Sequence, residues 1–173
     1  MIIKTFANAP KFEKLQALAV IVQTCTMPQI ADTIKELKDS PMFAGKAWQT
    51  NFNKLLDMVD TNSPMFTIIA KDGNSKIGHM AAFSTLPGVT CPGAGECISF
   101  CYSYTSWRYP AAYARQLQNT FLMRFNKPAI LRDYLTIQNG ATFRLYVDGD
   151  FSSAADLEFW QDVLATRPDV KAY

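Results

Sequence analysis

The sequence predicts an α/β protein, with an N-terminal helical segment followed by an incomplete (βα) parallel-sheet unit. Apolar residues recur at helical spacing through the first part of the chain, whereas short apolar runs alternate with helical stretches in the rest. Alternation of that kind favours a parallel sheet with helical crossovers. The length of 173 residues suits one domain or a compact domain with an extension. We therefore divide the chain into a helical segment, 1–62, and an α/β cysteine-loop segment, 63–173.

Three helices are predicted in the helical segment. The first begins near Pro10 and the second near Pro28, because proline is well tolerated in a first helical turn. The third spans 43–59, with Trp48 directed inward. The stretch DTNSP at 60–64 predicts the loop that ends the segment.

The α/β segment contains the predicted strands and their crossovers. The predicted strands cover 65–70, 76–83, 143–147 and 170–173, and the predicted helices cover 110–125, 128–140 and 153–164. A turn at 72–74, DGN, joins the first two strands. The last strand is short, so the chain either ends in a stubby edge strand or is a truncated part of a longer protein.

Composition and charge narrow the class of protein. Hydrophobic residues make up 49% of the chain and charged residues 18%, which is enough apolar material for a core and excludes wholesale disorder. The net charge of +2 falls well short of the basic balance typical of nucleic-acid binders. No signal peptide is predicted, and the apolar run at 15–22 is too short to span a bilayer. We expect a cytoplasmic protein without membrane contact.

Three cysteines, Cys91, Cys97 and Cys101, lie in the glycine- and proline-rich stretch CPGAGECISFC. Soft thiolate ligands select zinc, copper(I) or iron–sulfur clusters, so these clustered cysteines indicate a metal site in a reducing compartment. Three thiolates leave one ligand position open or filled from elsewhere, and the candidates are His79 and Cys25. The alternatives are that the thiols are small buried apolar groups without a metal, and that the histidine is a packing or surface residue.

The stretch 76–118 resembles the gene product 88 family of phages and plasmids. The resemblance is carried by FSTLP at 83–87, by TCPGA at 90–94, and by the two later cysteines, of which the last is followed by Tyr102. It continues in FRLYVDGDF at 143–151, which is similar to the family's strand ending in a small–Gly–Asp–Phe turn. Membership implies a protein of a mobile element.

That family is in turn similar to the radical S-adenosylmethionine enzymes. The similarity implies that the three cysteines hold a four-iron cluster, that Phe100 is the aromatic residue before the last cysteine, and that S-adenosylmethionine binds at the open iron. The turn that would receive the amino group of that cofactor is Asp148, Gly149 and Asp150. The cysteine spacing here, five residues and then three, is wider than is usual in those enzymes. The chain also has too few strands to close their barrel, so only part of that fold is implied.

The leading hypothesis is therefore a mobile-element iron–sulfur-binding protein, either radical-S-adenosylmethionine-like or a degenerate member. The alternative is a non-catalytic factor that binds a host protein or DNA, with cysteines that hold zinc or no metal. Asp148 and Asp150 fit both hypotheses, as an acid/base pair or as residues that shape a turn. The aromatic segment 102–109 either shields the cysteine loop from water, which we favour, or stacks on nucleic-acid bases. Whether the chain is an enzyme stays open.

Overall fold

The computed structural model describes residues 9–71 and 80–173. Its α-helices are α1 (Pro10–Thr24), α2 (Met27–Asp39), α3 (Lys46–Thr61), α4 (Pro110–Phe125), α5 (Lys127–Tyr134) and α6 (Ala154–Ala165). Short 3-10 helices cover Pro41–Phe43, Glu96–Phe100 and Tyr102–Arg108. The strands are β1 (Ala81–Ala82), β2 (Thr142–Arg144) and β3 (Lys171–Ala172). The described chain is therefore mostly helical around a small sheet.

The three strands form one parallel sheet in the order β1-β2-β3. Ala81 is paired with Phe143, and Thr142 with Lys171. Helices α4 and α5 connect β1 to β2, and α6 connects β2 to β3, because parallel strands need crossover connections. The predicted α/β class, with a parallel sheet and helical crossovers, is confirmed. Likeness to part of a radical-enzyme barrel stays a prediction, since three short strands are common to many folds.

The run 65–70 was predicted as a strand and is not one. Ala70 makes a single antiparallel bridge with Ala82, through N–H···O distances of 2.9 and 2.7 Å. The predicted turn at 72–74 and the first part of the return strand, 76–79, lie outside the described residues.

Buried polar side chains of α4 explain why this run needs no strand partner. The Gln118 side-chain oxygen accepts hydrogen bonds from the backbone N–H groups of Met65 and Phe66, both at 2.7 Å. Its Nε2 donates to the Phe66 carbonyl at 3.0 Å, and Asn119 Nδ2 donates to the Ile68 carbonyl at 3.0 Å. Both amides are fully buried. The backbone is thus satisfied by side chains instead of a ladder of β-sheet hydrogen bonds.

Helix α5 ends at Tyr134, earlier than the predicted end at residue 140. The Arg167 guanidinium donates to the carbonyls of Leu135 and Ile137 at 3.2 and 3.0 Å. These hydrogen bonds satisfy carbonyls just beyond the end of α5, so a side chain distant in sequence caps the helix.

One hydrophobic cluster contains buried residues from the N-terminal helices and from the sheet region. Helices α1 and α3 both pack on α4, and Tyr113 Oη of α4 donates to the Leu15 carbonyl of α1 at 2.7 Å. Phe43, predicted to open the third helix, ends a separate 3-10 turn and packs edge-on against Trp48 and Phe52. The segments 1–62 and 63–173 therefore share a core, and their division stays a prediction.

Within residues 9–71 and 80–173, no helix has both the length and the apolar character that crossing a membrane requires.

We predict that Gln118→Ala destabilises the protein by about 3 kcal/mol, because two partly buried N–H groups and one carbonyl lose their partners. Urea denaturation followed by circular dichroism measures this change. The control is Gln161→Ala on the exposed face of α6, which should change the free energy of unfolding by less than about 0.5 kcal/mol. Equal effects of the two substitutions would contradict the structural role of Gln118.

Candidate functional site

The chain segments that follow β1 and β2 stay side by side beyond the ends of the strands. The Phe83 N–H donates to the Arg144 carbonyl at 3.1 Å, and the Val147 N–H donates to the Phe83 carbonyl at 2.9 Å. One step further, the Thr85 N–H donates to the Asp148 carbonyl at 3.0 Å. The cysteine loop (residues 91–101) and the DGD turn (residues 148–150) therefore follow the same carboxyl edge of the sheet, where ligands of parallel α/β proteins bind.

Two threonines and a glycine lock these segments together. Thr90 Oγ1 donates to the Leu86 carbonyl at 2.7 Å, lies 3.1 Å from Thr85 Oγ1, and accepts from the Asp150 N–H at 3.3 Å. Gly149 has a φ of +81°, and a Cβ placed there would lie 2.1 Å from Thr85 Oγ1. Only glycine allows this approach, so the position of Asp150 beside the cysteine loop depends on Gly149.

The three cysteines line one cleft of about 440 Å³. Cys91 and Cys101 are half-buried and Cys97 is exposed. The loop turns at Gly88, where the Cys91 N–H donates to the Gly88 carbonyl at 3.2 Å. The remaining lining residues are Gly93, Ala94, Ile98, Phe100, Tyr102 and Asp150. The structure thus brings the three predicted thiols to one largely apolar cleft together with one carboxylate.

The three thiols have the chemistry of a thiolate site, but they are not arranged as a closed set of ligands. Among residues 9–71 and 80–173, no group of three or more His, Cys, Asp or Glu side chains is arranged to hold a metal ion. Three soft thiols in one apolar cleft are nevertheless the chemistry that iron–sulfur clusters and zinc select. A closed ligand set would need the thiols to draw together. A Cβ added at Gly93 or Gly95 would meet no atom within 4 Å, so the loop is not packed against other residues at these two positions.

Burial and neighbouring charges favour the protonated forms of Cys91 and of the nearby Tyr104. Burial raises the pKa of the Cys91 thiol, and the charges of Asp150 and Cys101 act in the same direction. Burial and the three cysteines raise the pKa of Tyr104 to about 12. A ligand that binds thiolates here must therefore displace at least the Cys91 proton.

Asp148 and Asp150 occupy different environments. Asp150 lines the cleft, whereas the Asp148 carboxylate lies behind it and accepts from Gln116 Nε2 at 3.0 Å. Burial raises the pKa of the Asp148 carboxyl, although hydrogen bonds from Ser103 and Gln116 and the charge of Arg144 act in the opposite direction. Asp148 therefore holds the surrounding segments together, and Asp150 is the carboxylate that faces the cleft.

The aromatic segment 102–109 divides into a buried and an exposed set. Tyr104 and Trp107 are buried and pack on Phe12 of α1, with ring centroids 4.9 and 5.3 Å from it. Tyr102 lines the cleft and its hydroxyl donates to the Val147 carbonyl, but it is 61% exposed. The buried rings anchor the cysteine loop to the N-terminal helices.

Of the two candidates for a fourth ligand, only Cys25 is among the described residues, and it lies away from the cleft. Cys25 follows the end of α1 and is not among the residues that line the cleft. His79 lies outside the described residues. Phe100, in contrast, lies on the cleft as predicted, with 61% of its surface exposed.

Sequence reasoning gave no individual role to four residues that shape the site. Thr85 and Thr90 were named only within the family motifs and Tyr104 only within the aromatic segment 102–109, whereas Gln116 was not singled out. Single hydroxyl and amide residues carry no pattern of their own. One signal was present, because QLQNT at 116–120 interrupts a helix with polar residues on several faces. Such a run indicates buried polar contacts, which the structure shows.

The fold and the cleft define a class: a mostly helical α/β protein with a three-cysteine loop at the carboxyl edge of a small parallel sheet. The chain belongs to the Gene product 88 family, whose family model matches residues 54–173. Neither the curated proteins nor the solved structures contain a significant match to the chain. The match begins inside α3 and covers the sheet, the cysteine loop and the DGD turn, so the predicted family is confirmed.

We predict that Gly149→Ala destabilises the protein by at least about 2 kcal/mol, because the new Cβ meets Thr85 Oγ1 and the backbone is left-handed. Thermal unfolding measures the change. Gly93→Ala is the matched control, since no atom lies within 4 Å of a Cβ at that position. A Gly149 variant as stable as the Gly93 variant would contradict the role of Gly149 in holding the two segments together.

Asp148 should make stability depend on pH. Its folded-state pKa lies above the unfolded-state value, so between the two values the folded chain binds more protons. Its stabilising contribution is full below the unfolded pKa, about 3.9, and declines as the pH rises toward the folded pKa. Urea denaturation of the wild type and of Asp148→Asn measures this dependence. The difference in unfolding free energy should move in favour of the variant across that window, and a constant difference would argue against it.

Proposed function

We propose that this protein is an iron–sulfur-binding protein of a phage or plasmid, with Cys91, Cys97 and Cys101 as the ligands of a four-iron cluster. The observation that supports this function is that all three thiols line one apolar cleft. If the cysteines of the segment 63–173 had no shared role, we would not expect all of them to line the same cleft.

The number of thiols decides what such a cluster does. When bound, a four-iron cluster with three protein ligands transfers single electrons and has one iron free for a further ligand. Asp150 is the carboxylate that faces the cleft, and it would receive a cationic group of that ligand. S-adenosylmethionine, whose methionine moiety carries an ammonium group, is our proposed cofactor for this position.

The residues around the thiols would give a cofactor largely apolar surroundings. Ile98, Phe100 and Tyr102 form apolar walls of the cleft. Gly149 and the half-buried carboxylate of Asp148 hold the DGD turn against Thr85 and Gln116, and we expect Asp150 to keep its position when a ligand enters. Asp148 and Gly149 therefore serve the predicted cofactor site by positioning, and Asp150 by contact.

Anaerobic purification followed by reconstitution with iron and sulfide tests this function. We expect the wild type to bind iron and sulfide in equal amounts, with broad visible charge-transfer absorption that changes when S-adenosylmethionine is added. Each of Cys91→Ser, Cys97→Ser and Cys101→Ser should lose most of the bound iron, because two thiolates hold a four-iron cluster poorly. Cys25→Ser is the control and should load like the wild type, since Cys25 lies outside the cleft.

A wild type that takes up no iron, or equal loss in Cys25→Ser, would contradict the cluster. Zinc uptake by such a colourless protein would support the second candidate, a non-catalytic factor that binds a host protein or DNA. The exposed rings of Phe100, Tyr102 and Tyr109 favour that candidate, because apolar rings at a surface are typical of contact sites.

A further inference from the structure

A second cleft, of about 490 Å³, carries three cationic side chains: Lys54 of α3, Lys71, and Arg115 of α4. The other residues that line this basic cleft are Met65, Phe66, Thr67, Ala70 and Ala111. None of the described lining residues is Asp or Glu, although the net charge of the whole chain is only +2. The basic cleft shares no residue with the cysteine cleft and concentrates positive charge at one place.

Arg115 is available to a ligand. It is exposed and lies one helical turn after Ala111, which also lines the basic cleft. The structure gives its guanidinium no hydrogen-bond or ion-pair partner among residues 9–71 and 80–173. A guanidinium presents its N–H donors as a planar fork that fits two oxygens of a phosphate group.

The two lysines differ in how far their charge is already used. Lys54 Nζ lies 5.4 Å from the centroid of the half-buried Phe66 ring, a contact that keeps the ammonium group beside the cleft. Lys71 Nζ donates to Thr136 Oγ1 at 2.7 Å and lies 3.4 Å from Asp133 Oδ1, so that carboxylate partly neutralises it. Lys54 and Arg115 are therefore the main cations that a ligand would meet.

The lining indicates what kind of anion fits. Three cations suit a doubly charged phosphate better than a single carboxylate, which would leave more of their charge unbalanced. Met65, Phe66 and Ala70 add apolar surface, and the volume lies in the range of about 300–1,000 Å³ that is typical of small-molecule sites. The cleft therefore has room for an organic group attached to the phosphate.

We propose that the basic cleft binds a phosphorylated small organic molecule, with Arg115 and Lys54 as the phosphate ligands and Lys71 as a supporting charge. The apolar residues of the run 65–70 contact the organic part. This site is separate from the proposed function and does not depend on what the three cysteines hold.

Isothermal titration calorimetry of the full chain at low salt, without added iron, tests this site. The probes are adenosine monophosphate, inorganic phosphate and adenosine. We expect adenosine monophosphate to bind more tightly than inorganic phosphate, and adenosine not to bind, because the phosphate supplies the main attraction. Arg115→Gln should weaken the binding of adenosine monophosphate about tenfold or more, because the charge-assisted hydrogen bonds of the fork are lost.

Arg132→Gln is the matched control, because Arg132 is an exposed arginine of α5 that does not line the basic cleft. It removes the same charge and should leave the affinity unchanged. Equal weakening by both substitutions would show attraction to the overall charge only and would overturn the site. Absence of binding by both phosphate probes would also overturn it, and adenosine monophosphate that binds no more tightly than inorganic phosphate would overturn the organic ligand.

Discussion

The hydrogen bonds made by buried polar side chains of α4 are the constraint on which the rest of the structure depends. Gln118 and Asn119 satisfy the backbone of 65–68, and Asn119 also donates to the Ser84 carbonyl at 2.9 Å. Thr120 Oγ1 accepts from the Leu86 N–H at 2.9 Å. With so short a sheet, strand pairing alone would not fix the loop that leads to the cysteines. Side chains of α4 fix that loop instead, because buried backbone groups must find hydrogen-bond partners.

A second set of contacts connects α4 to the site. Gln116 accepts from the buried Trp107 Nε1 at 2.9 Å and donates to Asp148, so one amide joins the aromatic segment to the DGD turn. The approach of Gly149 to Thr85 then places Asp150 at the cleft. The thiols are held less tightly than these supports, with Cys97 exposed.

The N-terminal helices show which structural features can be predicted from sequence patterns. Apolar spacing located α1, α2 and α3, since each buries one face, and proline marked two of their starts correctly. The strands were harder to predict from the sequence. The run 65–70 has the composition of a strand, but Gln118 and Asn119 make hydrogen bonds with part of its backbone. The end of α5 also depends on a distant residue, Arg167. Local patterns do not show such partners.

By itself, the sequence determined the α/β class, the parallel crossovers, the family and the three cysteines on a loop. These features rest on local composition and spacing, which need no knowledge of distant contacts. Only the tertiary structure decided that the three cysteines line one cleft, that Asp150 lines it while Asp148 does not, and that Gly149 approaches Thr85 closely. Those facts depend on residues far apart in the chain that meet through the packing of α1, α4 and the sheet, and no local pattern encodes that meeting.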